Sequence, residues 1–278
     1  MSSTRGQITK LILLVLAPLF ISLNVHAQQP LETETARPLK AGVVELQTTF
    51  EYQTSSAGNE RALPLGFEYG ITDRLSLLVE PVFYTSIRPK VGRSATGFGD
   101  LEATLSYLVV GERRRLPALE IAGEVKAPTA RNALIGTGKT DLAAYLFASK
   151  RFGKFDTHAN IGYTFVGKPA GTQLDNIINF AFAGEYFLNR KLDLVAEFLA
   201  NTSSGPGEAN ASINPNPSTP EAAAGEMVGM VGFRYHIRPN IALALGINYD
   251  NNHAVLIRSG VTFDFDVPGR GNPRKTRD

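Results

Sequence analysis

Alternation is the feature that most limits what this chain can fold into. In FAFAGEYFLNRKLDLVAEF (180–198), Phe180, Phe182, Gly184 and Tyr186 alternate with Ala181, Ala183, Glu185 and Phe187. Past the polar step Asn189-Arg190-Lys191, Leu192, Leu194, Ala196 and Phe198 alternate with Asp193, Val195, Glu197 and Leu199. A period of two around a tight turn is a β-hairpin with one apolar face. The pattern by itself leaves open whether that face meets a protein core or lipid.

The same alternation predicts twelve strands, near 41–52, 62–70, 74–85, 98–109, 115–127, 139–150, 155–166, 176–187, 191–201, 224–236, 240–250 and 253–265. Their connections sort into two kinds. One set is tight and often basic, as at Ile71-Thr72-Asp73, Gly111-Glu112-Arg113-Arg114, Phe152-Gly153-Lys154, Asn189-Arg190 and Pro239-Asn240. The other is mostly longer, at 53–61, 86–97, 128–138, 167–175 and 202–223, with a short turn only at Asn251-Asn252. Short turns on one rim and long loops on the other are the mark of an up-and-down outer-membrane barrel with an even number of strands.

Aromatic placement points the same way. The descending strands end their apolar phase on Tyr69, Tyr107, Tyr186, Tyr235 and Phe265, and ascending strands end it on Tyr52, Phe83, Phe165, Phe198 and Tyr249. Between these sets the phase is aliphatic, as in Leu75, Leu77 and Val79. Two aromatic girdles around an aliphatic band describe a lipid-facing surface. The predicted fold is therefore all-β, a membrane-spanning antiparallel barrel of about 12 strands, with outer-membrane lipid as its surroundings.

The N-terminus is consistent with export. Arg5 and Lys10 precede an uncharged apolar run from Leu11 to Val25, and Val25-His26-Ala27 offers small residues at cleavage spacing before Gln28. This predicts a removable signal peptide over 1–27, followed by a periplasmic segment (28–40), the barrel (41–265) and a disordered basic tail (266–278). The signal holds two of the 28 Lys+Arg and none of the 26 Asp+Glu, so the mature chain balances at 26 against 26. No basic stripe with interleaved aromatics appears, which argues against nucleic acid as a partner. The chain has no cysteine, excluding disulfides and thiolate metal sites.

The stretches GFEYGITDRLSLLVEPVF (66–83), GFGDLEATLSYLV (97–109) and IGTGKTDLAAYLFASKRFGKFDTHANIGYTFVG (135–167) resemble a family of outer-membrane transporters linked to meta-pathway phenol degradation. The resemblance spans most of the mature chain. It implies a bacterial outer-membrane barrel that passes aromatic or other small hydrophobic compounds, inserted by the barrel-assembly machinery, with no agreed catalytic residues. The chain departs from the pattern at its end, where Phe265 is followed by thirteen residues.

Local motifs offer rivals. ALIGTGKT (133–140) resembles a phosphate-binding loop, but Ala133 replaces its leading glycine and a buried parallel strand should precede it. His158, His236 and His253 are the mature chain's histidines; they lack metal-ligand spacing, and on sequence no serine pairs with any of them. No enzyme activity and no cofactor is expected. SSGPGEANASINPNPSTP (203–220) reads as a long surface loop.

The inward phase carries the candidate site. It places Glu80, Glu120 and Glu197 near mid-height, Glu102 and Glu124 above them, and Lys126 and Arg258 as the nearby cations. An acidic lumen attracts cations, whereas the same charges, if paired, merely fill a small barrel. Twelve strands lie between the roughly eight that leave no space and the 16–18 that leave a water channel. The leading expectation is passive uptake of a small-molecule solute through a constriction made by those seven residues, with Glu120→Gln and Glu197→Gln reducing cation preference. The alternatives are a closed structural or adhesive barrel acting through its outer loops, and a lipid-modifying enzyme.

Overall fold

The computed structural model describes residues 30–204 and 225–267. The strands are β1 (Val43–Thr54), β2 (Gly58–Thr72), β3 (Leu75–Pro89), β4 (Ala95–Gly97), β5 (Leu101–Val110), β6 (Ala118–Ala127), β7 (Asp141–Phe152), β8 (Phe155–Phe165), β9 (Ile177–Phe187), β10 (Leu192–Asn201), β11 (Met227–Arg238), β12 (Ile241–Asp250) and β13 (Val255–Asp266). Each long strand pairs antiparallel with the next, β3 pairs with β5, and β13 returns to β1, which closes the sheet. Twelve strands form the wall. The short β4 pairs only with the upper end of β3 among the described residues.

The barrel is inside out relative to a soluble protein. Phe50, Leu105, Ile121, Ile161, Phe182, Val231 and Ile247 are exposed on its outer surface, while Glu45, Glu120, Glu185, Asp193, Glu197 and Arg234 are buried within. Tyr107, Tyr186, Tyr235 and Phe265 are exposed toward the short-turn rim, and Phe83, Phe165, Phe198 and Tyr249 toward the long-loop rim. The alternating apolar phase thus faces outward, as a lipid-facing belt requires.

Two connections depart from expectation. The loop anticipated over 53–61 is only the turn 55–57, because β2 and β3 continue pairing up to Gly58↔Pro89. Here the cross-strand partners are polar, such as Asn59↔Arg88 and Arg61↔Ser86, so the hairpin rises on hydrogen bonding without a lipid-facing pattern. The strand anticipated from residue 98 begins at Leu101, because Phe98, Gly99 and Asp100 break it from β4. Asp100 turns inward, where its Oδ1 accepts the Ala130 N–H at 2.8 Å. The signal peptide, the tail beyond Val267 and most of the 203–220 loop lie outside the described residues.

Apolar packing inside the wall is limited to small clusters. Leu31 packs with Val195 and Met230, and Ala36 with Ala118, Ala122 and Phe147. Near the long-loop rim, Ile87, Ala95, Ala130 and Ile135 form a third. Two of these clusters draw a member from the segment preceding β1.

Candidate functional site

Residues 31–39 lie inside the barrel, whereas the sequence predicts a separate periplasmic segment over 28–40. Leu31, Thr33, Ala36 and Leu39 are fully or almost fully buried. LETETARPLK has neither a strand nor a helix period, so its backbone groups need partners from the wall. Glu197 supplies three of them. Its Oε1 accepts the Leu31 N–H at 2.7 Å, and its Oε2 accepts the Thr33 N–H at 3.1 Å and the Thr33 hydroxyl at 3.0 Å. The Glu32 N–H is shared between both oxygens. Charge-assisted bonds of this kind are about twice as strong as neutral ones.

The remaining contacts run around the wall. The Ala36 N–H donates to Ser149 Oγ at 2.8 Å. Arg37 grips both Asp156 oxygens at 2.9 Å and reaches Glu112 at 2.9 Å. Arg258 donates to the Leu31 carbonyl at 3.2 Å and pairs with Glu32 at 2.7 Å and with Glu51 at 2.6 Å. Leu31 rests on the paired glycines Gly232 and Gly246, whose added Cβ atoms would lie 2.9 and 3.1 Å from its Cδ1. Glycine on both strands makes the hollow that admits the leucine.

At the short-turn rim the tether is electrostatic. Partial burial pushes the Glu112 carboxyl up, but hydrogen bonds from Arg37, the Arg151 N–H and Lys150 outweigh it and hold the group at about 2. At the opposite rim, burial and the neighbouring Asp250 raise Glu226 to about 8.

Above the segment is a cavity of about 330 Å³ lined by Glu80, Glu102, Glu124, Lys126 and Arg258, with Leu31 and Glu32 in its lining. Five of the seven expected residues are thus gathered. Glu80 faces Glu102 across β3–β5, and Glu102 faces Lys126 across β5–β6. Lys126 pairs with Asp141 at 2.5 Å and lies 3.9 Å from Asp100. Glu124 accepts from Thr104 at 3.2 Å and from Tyr145 at 3.4 Å. A Cβ on Gly162 would overlap the Tyr145 ring, so this glycine gives the tyrosine its place.

The other two residues separate from the group. Glu120 sits lower, in a small void shared with Glu34, Thr35, Arg37, Glu68 and Phe147. Glu197 is engaged by the backbone of 31–33 and does not face the cavity as a free carboxylate. The sequence places Glu197 in cation selection; in the structure its carboxylate accepts from the backbone of the segment.

Several partners were not anticipated. Arg37, Glu51, Asp100, Asp141 and Asp156 complete the ion pairs, and only register and docking bring them in. Below the segment, Arg234 pairs with Glu185 and Asp193, and His236 lies 2.6 Å from Asp193. Ser149 Oγ lies 2.9 Å from His158 Nδ1, a serine–histidine pair legible in principle from the Gly153-Lys154 turn, which sets Ser149 opposite His158. This pair is buried beneath Ala36, unlike an outward-facing hydrolase site. Asp156, His158 and Glu185 offer ligand atoms within 4.8 Å of one another, but Arg37 and Arg234 already pair with the two carboxylates. ALIGTGKT lies in the β6–β7 loop and DLAAYLF forms β7, which removes the strand–loop–helix context of a phosphate-binding loop.

With this geometry in place, similarity to known proteins becomes informative. Residues 35–270 match the family described as "Putative MetA-pathway of phenol degradation". The chain belongs to this family. Among solved structures it resembles the COG4313 outer membrane channel from Pseudomonas putida F1, with a TM-score of 0.61 and 14% identity over 83% of this chain and 98% of that one. It is similar to the NanC porin, with a TM-score of 0.53 and 14% identity over 78% and 98% of the two chains. A KdgM porin solved with disordered oligogalacturonate gives 0.52 and 11% identity over 80% and 99%. The curated proteins contain no match. The shared fold is that of outer-membrane channels.

Proposed function

We propose that this protein is an outer-membrane channel for passive uptake of small molecules, its aperture set by the segment 31–39. The observation that carries the reading is the cavity of about 330 Å³, lined by both charged and apolar side chains, inside a closed, lipid-facing barrel. Around it the carboxylates Glu80, Glu102 and Glu124 outnumber the cations Lys126 and Arg258. A narrow acidic lumen disfavours anions, so a charged oligosaccharide such as the one bound by the KdgM porin fits poorly here. Small neutral compounds fit better, in line with the aromatic chemistry in the family's description. The sealing of Ser149 and His158 under Ala36 speaks against a lipid-modifying enzyme.

Single-channel conductance of the refolded mature chain in a planar bilayer, with a salt gradient, tests this. Small, steady, cation-leaning steps are expected. Silence from protein verified as folded and inserted would favour the second reading, a closed barrel acting through its outer loops, which draws its support from how tightly the segment is bound to the wall.

A further inference from the structure

Among the described residues the wall is interrupted beside β4. At the level of Pro81↔Leu101 the β3–β5 ladder ends, and above it the neighbour of β3 is the three-residue β4. β6 stops at the same height, with Leu101↔Ala127, and the chain continues into the 128–140 loop. Among the described residues the far edge of β4 has no strand beside it. Between that edge and the loop lies a notch of about 900 Å³, lined by Pro81, Val82, Phe83, Phe98 and Leu101, with Asp100 and Arg131 as its charged groups.

The notch belongs to the membrane-facing surface. Phe83 and Phe98 are 48% and 63% exposed and meet edge to face with centroids 6.2 Å apart. They stand in the upper aromatic girdle, where one side is apolar and the other wet. Apolar walls with a few polar groups among them are the makings of a small-molecule site.

What lies behind it gives the notch a use. Val82 and Gly99 line the notch and also line a separate interior pocket of about 100 Å³, shared with Glu51, Glu80, Glu102 and Arg258. Val82 and Gly99 thus stand between the notch and the inner pocket, joined by the Gly99 N–H donating to the Val82 carbonyl at 2.9 Å, with Asp100 beside them reaching toward Lys126. Glycine is required there, since a Cβ on residue 99 would come within 2.7 Å of Val82 Cβ. Beside it the ladder is irregular, with a bulge between Leu63 and Pro64 that leaves Phe83 without a cross-strand partner. Pro81 and Pro64 also lack the N–H that would stiffen this corner.

We propose that the notch is a side entrance between the outer leaflet and the lumen for a small apolar molecule bearing one polar group. Its ring is held by Phe83 and Phe98, and it passes at Val82–Gly99 toward the lumenal carboxylates and Arg258. An acyl chain is a poorer occupant, because nothing lipidic is served by a route into a charged interior. The proposal rests on the channel reading and adds to it a class of solute and a path through the wall.

The test is photolabelling of the full mature chain in lipid nanodiscs with a diazirine-bearing benzyl alcohol, mapped by peptide mass spectrometry, with excess benzyl alcohol as competitor. Adducts are expected to concentrate on 81–83 and 96–101, well above the equally exposed Ile161 and Phe182, and to be competed away. Phe98→Ala should lower them. Val82→Ala should thin the partition and raise adducts on Glu80 and Glu102, while heat-shifted gel mobility confirms that both variants are folded. Even labelling of all lipid-facing residues, or notch adducts that benzyl alcohol does not displace, would overturn the site; the second outcome identifies an acyl-chain groove. Notch labelling with no change on Glu80 and Glu102 in Val82→Ala would overturn the passage. The two readings fail separately: conduction without notch labelling removes the side entrance, and notch labelling in a barrel silent to ions removes the channel.

Discussion

The Glu197 carboxylate accepts from three consecutive N–H groups of the N-terminal segment, so one side chain does much to decide whether the lumen is crossed. Each charge-assisted bond contributes about 1.5–3 kcal/mol, so losing even one raises the released population by roughly tenfold or more. Glu197→Gln, whose amide N–H₂ would confront donors, is expected to increase mean conductance with little change in ion preference. A changed reversal potential at constant conductance would return Glu197 to the selectivity filter. Arg37 and Glu112 provide a second, pH-dependent hold. Glu112 is held at about 2, below its ordinary 4.5, so its contribution is complete above about 4.5 and fades as pH falls toward 2. The pair is partly exposed and screened, so the expected rise in conductance between pH 5 and pH 2 is at most about fivefold. Glu112→Gln should remove that pH step; an unaltered step would assign it to other groups. The inward phase and mid-height of Glu197 were legible in the alternation. Its partner was not, because the partner is backbone about 165 residues away in a stretch with no period.

At the scale of elements, local pattern and tertiary docking part company. All twelve wall strands were legible, because a residue's parity within a strand sets its face and lipid on one side makes that parity stark. The segment 31–39 was not, since it enters the lumen through hydrogen bonds to Glu197, Ser149 and Arg258 and through the hollow over Gly232 and Gly246. The break at Phe98–Asp100 was similarly hidden: Asp100 reads as one more inward carboxylate until the Ala130 N–H is found on it. The segment's independence from the sheet gives a direct test. Deleting residues 30–36 leaves every strand pairing intact and removes the Glu197 and Ser149 contacts. The shortened chain should refold with unchanged strand content and conduct in larger steps than Glu197→Gln. Equal conductance in wild type and deletion would mean that the narrowest point lies higher, among Glu80, Glu102, Glu124 and Arg258.

For the whole molecule, stability comes from an arrangement opposite to that of a soluble domain, and substitutions on the two faces should sort accordingly. Val231 is 64% exposed near the middle of β11, opposite Ala196 and Ile247, where the outer surface is aliphatic. On a soluble protein an arginine there would be nearly neutral. In the middle of a bilayer it costs about 2–4 kcal/mol. Val231→Arg should therefore lower the urea midpoint for unfolding from lipid vesicles, while the same substitution in detergent, where the belt can rearrange, should cost less. Glu120→Gln reverses the comparison. Glu120 is buried in the lumen, and its neighbours Glu34, Arg37 and Glu68 are polar, so the neutral amide should change the midpoint little in either medium. If instead Glu120→Gln proved destabilising and Val231→Arg silent in vesicles, the outward phase would not be facing lipid, and the channel reading built on it would fall as well. The expected pattern would place selectivity in lumenal charge and stability in the belt, allowing the cavity carboxylates to be varied for function without loss of the fold.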